Sequence, residues 1–376
     1  MLEIVPNTLD PDGSALLEFL DKEELATHLN PFFSGQGQRP SLLDARIQVL
    51  KWHKRNRCTM EITLKSDGIF HELIGKIYAV DRSDIYRTME ALWREGFDQN
   101  SRNSIPQPLN YVPSLRLLLQ ENIAGGSVRE IFLGSDRHKQ FEAAERSAHW
   151  LAYFHNLAPR LTQVSPAENQ LAKMKRWTRR LAELELGDPV TEKSRQLFEK
   201  LQAEHSQLRD AEFTAGHNSY SPAHVLLADG RTAVIDWDGY DVGDPARDLA
   251  MFVVATQRLA LGHLSSIRAL DWLADAFLQT YVAERGAEVL PRLPFYKAAM
   301  CLKLAKYCAF NRQVPQWEKK VVAMLDEGVR VLGEKNTKTL LPLAQVIVLP
   351  KDCNQSKRGP KRPRAPRKSR FFNRTA

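Results

Sequence analysis

Hydrophobic and polar residues alternate along the first third of the chain in the manner of β-strands. Three segments show strand character, namely 46–53, 58–65 and 72–79. The middle one, CTMEITLK, alternates with a period of two, as a half-buried antiparallel strand does. A helical pattern follows over 83–94 and stops at Gly96, while 115–123 (LRLLLQENI) indicates another strand. The pattern predicts a β-rich region with one helix.

The periodicity becomes helical in the second part of the chain. Apolar residues from Phe141 to Leu157 recur at helical spacing up to Pro159. Further helical patterns cover 165–185, 189–209, 246–262, 266–285, 293–311 and 315–333. One interruption, with apolar runs at 225–227 and 232–235 around Asp229-Gly230, predicts a β-hairpin. Strands followed by a mostly helical half predict an α+β protein with two lobes.

These patterns divide the chain into four parts. We expect an N-terminal extension over 1–44 and a β-rich, nucleotide-binding lobe over 45–125. The helical lobe, which carries catalysis and the substrate site, covers 126–333. Residues 334–376 have no clear period, and we interpret them as a linker and a disordered basic tail.

Composition excludes several classes of protein. With 43% hydrophobic and 26% charged residues, the chain has the average make-up of a soluble globular protein. No apolar run is long enough for a transmembrane helix, and the N-terminus does not resemble a secretory signal. The four cysteines show no CxxC spacing, which argues against a disulfide framework and a zinc site. A reducing, cytoplasmic location fits these features.

The net charge of +8 is concentrated at one end of the chain. Residues 356–376 contain nine basic residues and no acidic one, so the rest of the chain is close to neutral. Prolines within this tail favour an extended arm. Non-specific contact with a polyanion and a merely solubilising role both fit such a tail.

The segment 217–252 carries the most informative chemistry. An apolar run, Ala233–Ile235, ends in Asp236, and Asp238 follows two positions later. Carboxylates at the end of a strand suit Mg²⁺, which takes one or two carboxylates together with phosphate oxygens. Taken alone, the same residues also fit a solvated turn.

The wider segment resembles a known family. It matches the aminoglycoside phosphotransferase and choline-kinase-like pattern HGDxxPxNVL–IDWD–GDPxxDLA at three places. The matches are His217 with Pro222 and Val225-Leu226, the IDWD motif ending at Asp238, and GDPARDLA over 243–250. The resemblance covers roughly 45–330 and implies a protein-kinase-like fold. That fold has a small β-rich N-terminal lobe, a cleft and a mostly helical C-terminal lobe.

The resemblance also implies roles for individual residues. Lys76 corresponds to the lysine that grips the ATP phosphates, and Glu90, with Glu95 next, is the candidate to pair with it. Glu121 and Ile123 lie in the segment that holds adenine through backbone groups. Asp236 and His224 occupy the metal positions. His217 orients the catalytic loop, which runs from His217 to His224. The implied cofactors are ATP, or another nucleoside triphosphate, and Mg²⁺, with Mn²⁺ as an alternative.

The catalytic loop departs from the family pattern. The aspartate that takes the proton of the substrate hydroxyl is Ser219, which has no useful basicity near neutral pH. The metal-binding asparagine is His224, and imidazole suits Mn²⁺ or Zn²⁺ better than Mg²⁺. A nearby carboxylate, Asp238 or Asp241, could substitute for the missing base. A glycine-rich loop is also absent, because a basic run over 51–57 occupies that turn.

Two functions therefore stay open. The first is an ATP-dependent phosphotransferase that acts on a hydroxyl of a small molecule, slowly, because of Ser219. The alternative is a pseudokinase-type protein that binds a nucleotide or metabolite in the same cleft without turnover. The sequence does not identify the acceptor substrate.

Overall fold

A computed structural model describes most of the chain. The described residues are 3–5, 45–53, 56–66 and 69–334, with short gaps at 163, 165–166, 185–187, 207, 209–210, 229 and 311–314. The described residues from 3 to 334 belong to one compact unit. The expected basic tail and almost all of the expected N-terminal extension lie outside the described residues.

The N-terminal region is built around a six-stranded sheet with the order β1-β2-β3-β4-β7-β6. Its strands are β1 (Glu3–Val5), β2 (Ala45–His53), β3 (Arg57–Ser66), β4 (Ile69–Tyr78), β6 (Pro108–Val112) and β7 (Leu117–Glu121). β2, β3, β4 and β7 are the predicted strands. Their alternation buries Val49, Met60 and Ile62 on one face. β6 is not among the predicted strands. Its first residue is Pro108, and it lies at the edge of the sheet, where proline is tolerated.

One helix packs against this sheet. α1 (Ser83–Arg94) is confirmed with its predicted bounds, and Gly96 follows it with a φ of 94°. Only glycine adopts that conformation readily, which explains why the helix stops there. α1 buries Ile85, Met89 and Leu92, so its opposite face points to solvent.

A second sheet joins the two parts of the chain. It has the order β5-β11-β10-β8, with β5 (Asn103–Ser104), β8 (Gly126–Ser127), β10 (Val225–Ala228) and β11 (Arg231–Val234). β10 and β11 form the predicted hairpin. A further antiparallel pair, which was not predicted, consists of β9 (Thr214–Gly216) and β12 (Asp241–Gly243). β9 ends directly before the catalytic loop.

The remainder of the described chain is helical. Its helices are α2 (Val128–Leu133), α3 (Arg137–Leu157), α4 (Ala167–Ala182), α5 (Asp188–His205), α6 (Ala246–His263), α7 (Asp271–Arg285), α8 (Leu293–Phe310) and α9 (Trp317–Glu334). All except α2 were predicted. Their apolar faces form one core with stacked aromatic rings such as Phe252 and Phe277, whose centroids lie 4.0 Å apart.

The architecture agrees with the predicted α+β class, with a small β-rich part followed by a mostly helical part. No helix in the described part of the chain is long and apolar enough to span a membrane. The division of the compact unit into lobes at residue 125 stays a prediction.

Candidate active site

The site is centred on a lysine of the N-terminal sheet. Lys76 lies near the end of β4, paired with Thr59 on one side and Leu118 on the other. Its ammonium nitrogen is 3.1 Å from Asp236 Oδ1 and 3.1 Å from Asp238 Oδ1. The side chain is buried, so these carboxylates compensate a charge that water does not reach. Lys76 therefore joins the sheet to the acidic turn after β11.

The acidic turn has a local structural cause. Asp236 adopts the left-handed conformation, with a φ of 69°, and a 3-10 turn over Trp237–Gly239 follows it. Aspartate tolerates this conformation better than most residues. Trp237 is buried and donates a hydrogen bond from Nε1 to the Val234 carbonyl at 3.0 Å. The buried indole fixes the turn, and both carboxylates then face Lys76.

A second cation, Arg57 at the start of β3, completes the cluster. Its NH1 donates to Asp236 Oδ1 at 2.8 Å and also contacts Asp238. The Tyr78 hydroxyl donates to Asp238 Oδ1 at 3.1 Å. The sequence interpretation placed Arg57 only in a basic turn, although the pairing of Arg57 with Tyr78 in the sheet brings both to the site.

These charges determine the ionisation of Asp236. Burial by itself raises the pKa of a carboxyl group, but the charges of Lys76 and Arg57 outweigh it here. They hold the pKa of Asp236 well below its ordinary value. Asp236 is therefore ionised at neutral pH, as a cation ligand must be.

The expected partner of Lys76 is not the one that the structure shows. Glu90 pairs with Arg94 at 3.2 Å, one helical turn away. Glu95, the second candidate, is exposed at the end of α1. Because Met89 points into the core, its neighbour Glu90 lies on a different face of the helix and does not reach Lys76. Asp236 and Asp238 take the place of that glutamate.

The catalytic loop is held by the first turn of α6. Asp248 accepts hydrogen bonds from the backbone N–H groups of His217 and Asn218, both at 2.7 Å. His155 Nε2 lies 3.3 Å from the same carboxylate. These contacts hold the backbone of the loop in place, and the positioning role expected for His217 stays a prediction.

The hydrogen bonds of His217 fix its tautomer. Its Nε2 lies 3.0 Å from the Ile235 carbonyl oxygen, which only accepts, so Nε2 carries the proton. Burial lowers the pKa of His217 to about 4, so the ring is neutral and Nδ1 has a free lone pair. The Ser219 hydroxyl, 3.1 Å from Nδ1, therefore donates to it. The lone pairs of the Ser219 oxygen stay available to accept a hydrogen bond.

His224 is arranged in a similar way. Its Nδ1 is 2.9 Å from the Ser219 carbonyl oxygen and must donate to it. Burial lowers the pKa of His224, so the ring is neutral and Nε2 carries a lone pair. That lone pair lies 3.5 Å from Asp236 Oδ2, another acceptor. Two acceptors facing each other at this distance are suited to binding a cation between them.

Asp236 and His224 fit a divalent cation that takes most of its ligands from water and phosphate oxygens. Among the described residues, no group of three or more His, Cys, Asp or Glu side chains forms a complete metal cage. Asp236 and His224 supply two ligand atoms, which suits a cation that keeps its waters and binds phosphate oxygens. The imidazole nitrogen favours Mn²⁺ over Mg²⁺ in such a set.

The two residues expected near adenine lie at the junction of the sheets. The Glu121 carboxylate accepts from the Gln107 N–H at 3.0 Å and pairs with Arg231 at 2.5 Å. Ile123 is buried against Ala228 and Ala233 of the hairpin. Both side chains are thus engaged in structure, and contact with a nucleotide through their backbone groups stays a prediction.

Comparison with known proteins shows one family match by sequence. The model of the phosphotransferase enzyme family matches residues 76–296, more than half of the chain. No curated protein matches the chain by sequence.

Solved structures resemble the chain in fold. One is a choline/ethanolamine kinase family protein from Mesorhizobium loti, with 14% identity, a TM-score of 0.53, and coverage of 82% of this chain and 94% of that one. Another is a choline kinase from Cryptosporidium parvum Iowa II, with 9% identity, a TM-score of 0.56, and coverage of 84% and 96%. A third is a thermostable mutant of aminoglycoside phosphotransferase APH(4)-Ia, in a ternary complex with AMP-PNP and hygromycin B. It has 13% identity, a TM-score of 0.55, and coverage of 80% and 96%. At such identities the likeness concerns the fold, and it confirms the predicted protein-kinase-like architecture.

Proposed function

Because the chain belongs to the phosphotransferase enzyme family, we propose that it transfers the γ-phosphoryl group of ATP to a hydroxyl group of a small molecule. One observation carries the proposal. Two cations of the N-terminal sheet, Lys76 and Arg57, converge on Asp236 and Asp238 at the end of the hairpin. Phosphoryl transfer depends mainly on such positioned cations and metal-binding carboxylates.

Nucleotide as the phosphate donor has independent support. The aminoglycoside phosphotransferase of similar fold was solved with AMP-PNP, and a related one with ADP. In the chain studied here, Lys76 and Arg57 supply positive charge for the phosphates. Glu121 and Ile123 are the residues whose backbone groups would hold the base.

A divalent cation would be held by Asp236 and His224, with Asp238 beside them. Such a cation would supply positive charge to offset the negative charge that develops on the phosphates during transfer. Lys76 directs the two carboxylates to one point through its hydrogen bonds. The chain thus provides the charge and the geometry for the cation.

Ser219 stands at the position of the family's catalytic base. Its hydroxyl proton is donated to His217, so its oxygen is free to accept a hydrogen bond from the acceptor hydroxyl. This contact orients the acceptor without removing its proton. Since the transition state of phosphoryl transfer is loose, orientation alone sustains a reaction, and loss of a base costs about 10²–10⁴-fold in rate. The enzyme is therefore slow.

A binding function without turnover is the second candidate, and one observation favours it. The side chains of Asp236 and Asp238 already pair with Lys76 and Arg57. A cation must compete with Arg57 for these carboxylates, and Ser219 offers no base. Both features weaken catalysis more than they weaken binding.

Nucleotide binding is tested by thermal shift with AMP-PNP and either Mg²⁺ or Mn²⁺. A ligand at 100 times its Kd stabilises a protein by about 2.7 kcal/mol, which is readily measured. We expect a larger shift with Mn²⁺, and we expect Asp236→Asn to weaken nucleotide binding by at least about tenfold.

Glu90→Gln is the matched control, because Glu90 pairs with Arg94 rather than Lys76. It should keep the full shift. No shift of the wild-type protein with either metal would reject both candidates. Release of ADP in the presence of hydroxylated acceptors then separates transfer from binding.

A further inference from the structure

A group of cations extends from the catalytic loop along two helices. It consists of Lys173, Arg176 and Arg180 on α4 and Lys303 and Lys306 on α8, and we call it the α4–α8 cationic cluster. Lys303 begins it, since its ammonium donates to the Asn218 carbonyl at 3.2 Å. Asn218 directly precedes Ser219, so the cluster starts beside the expected acceptor position.

Contacts across the two helices hold the rest of the cluster together. The Lys306 ammonium lies 5.9 Å from the centre of the Trp177 ring on α4. Conversely, the guanidinium of Arg180 on α4 lies 5.9 Å from the centre of the Phe310 ring on α8. Both distances are in the range of cation–π contacts. These contacts order the long side chains on one side of the helix pair.

The cluster lacks carboxylate partners in the described part of the chain. None of its five members forms an ion pair there, whereas Arg179, on the neighbouring face of α4, pairs with Glu183 at 3.3 Å. α8 contains no acidic residue, and α4 contains one, Glu168. Asp248 is the carboxylate that acts on Lys303, and it is engaged by the loop and His155.

The pKa values of Lys303 and Lys306 reflect the like charges around them. Burial, together with the charges of Lys306 and Lys173, lowers the pKa of Lys303 to about 8 against the opposing effect of Asp248. Burial, Arg180 and Arg176 likewise lower the pKa of Lys306. Lys303 and Lys306 are partly buried, whereas Arg176 and Arg180 are exposed. A charge without a partner is therefore most costly at the two partly buried lysines, and an anion relieves that cost.

We infer that the acceptor substrate is anionic and is a hydroxylated molecule that carries a phosphate group bound by the α4–α8 cationic cluster. The inference rests on the proposed function, because it assigns the substrate class of the same site. The arginines of the cluster match the geometry of a phosphate, and Lys306, which lies near both arginines and Lys303, connects them to the loop that carries Ser219. A polycationic acceptor would be repelled by the same residues.

Pyridoxal 5′-phosphate is a suitable probe, since it carries a phosphate and an aldehyde. The aldehyde condenses with a neutral lysine amine and releases water, and borohydride reduces the imine to a stable amine. Peptide mass spectrometry then locates the labelled lysines. We expect Lys303 and Lys306 to be labelled about tenfold more than by pyridoxal, which lacks the phosphate. Glucose 6-phosphate should protect them, and glucose should not.

Charge variants separate specific binding from general reactivity. The double variant Arg176→Gln/Arg180→Gln keeps Lys303 and Lys306 and should lower the labelling of these two lysines by pyridoxal 5′-phosphate about tenfold. Arg195→Gln, an exposed position on α5, is the matched control and should leave labelling unchanged. Equal labelling by pyridoxal, or unchanged labelling of the double variant, would overturn the inference.

The AMP-PNP shift distinguishes this failure from failure of the proposed function. The double variant should keep the wild-type shift, because its changes lie outside the Lys76–Asp236 cluster. A missing shift in the wild-type protein would overturn the proposed phosphotransferase even if the lysines are labelled. A retained shift with phosphate-independent labelling would overturn the anionic acceptor alone.

Discussion

Ser219 and His217 form a hydrogen-bonded pair where the family pattern has a single carboxylate. The pair cannot act as a strong base, because burial holds the pKa of His217 at about 4 and protonation of its ring is unfavourable. It can still position an acceptor hydroxyl through the Ser219 oxygen. At this residue the chain keeps the geometry of the site and loses its basicity.

Restoring the carboxylate tests this interpretation. Ser219→Asp should raise the turnover number by about 10²-fold, the lower end of what general-base catalysis contributes. The measurement is ADP release at saturating ATP, with an acceptor found by screening. We expect the lower end of this range because the unprotonated Nδ1 of His217 would lie beside the new carboxylate and could not donate a hydrogen bond to it.

Ser219→Ala is the comparison variant. It removes the hydrogen bond to the acceptor and should lower turnover, while the AMP-PNP shift is retained. A fall in turnover for Ser219→Asp would instead mean that the serine belongs to a working arrangement of its own.

At the scale of elements, the catalytic loop owes its shape to neighbouring helices. The start of α6 supplies Asp248, which receives the loop's N–H groups, and Arg247, which pairs with Asp241 at 2.7 Å. α8 supplies Lys303 on the other side. Burial raises the pKa of Asp248, but the hydrogen bond and charge of His155 outweigh it and lower the pKa. Two ionised side chains at the start of α6, Asp248 and Arg247, therefore support the loop.

The buried imidazole of this loop makes stability depend on pH. The pKa of His217 is about 4 in the folded protein against 6.5 for a free histidine. As pH falls below 6.5, the unfolded chain takes up a proton that the folded protein refuses. The free energy of unfolding should therefore decrease by about 3 kcal/mol between pH 7 and pH 4 from this group.

Urea unfolding of wild type and His217→Gln at pH 7, 6 and 5 measures this contribution. The variant should be less stable at pH 7 but show a smaller decrease with falling pH. His138→Gln, at an exposed position of α3, should keep the wild-type slope. An unchanged slope in His217→Gln would mean that His217 titrates normally.

At the scale of the whole molecule, a small group of charges connects the N-terminal sheet to the hairpin of the helical part. Arg57, Lys76 and Tyr78 come from adjacent strands and meet Asp236 and Asp238. The carboxylates that would hold a metal are thus part of what joins the two regions. A metal bound by these carboxylates would therefore compete with the contacts that join the two regions.

Arg57→Gln tests this coupling. Removing the guanidinium leaves two carboxylates with one lysine, so the protein without metal should be destabilised by about 1–3 kcal/mol. Its affinity for Mn²⁺ alone, followed by thermal shift, should rise by about tenfold, since the cation no longer competes with Arg57. Arg94→Gln, which removes an exposed ion pair, should change neither quantity by much. Weaker Mn²⁺ binding in Arg57→Gln would contradict the competition.

Local patterns along the chain predicted much of this architecture. Alternation revealed β3, and helical spacing together with Gly96 defined α1, because these signals depend on neighbours a few residues away. The acidic turn was found in the same way, from a short apolar run that ends in carboxylates. The two-residue strands β5 and β8 had no such pattern, because their pairing partners are distant in sequence.

The partners within the site were not predictable in this way. Lys76 and Asp236 are 160 positions apart, and Arg57 and Asp238 are 181 apart. Periodicity carries no information over such distances. The expected Lys76–Glu90 pair failed because the tertiary packing of Met89 turns Glu90 toward solvent.

The sequence by itself determined most of the elements and the α+β class, since these follow from local geometry, and its motif indicated candidate residues for the chemistry. The tertiary structure decided which charges meet, which histidine tautomers exist and where unpartnered cations gather. Those properties depend on burial and on hydrogen bonds between distant segments. For this reason the near-neutral net charge of residues 1–355 gave no sign of the α4–α8 cationic cluster beside Ser219.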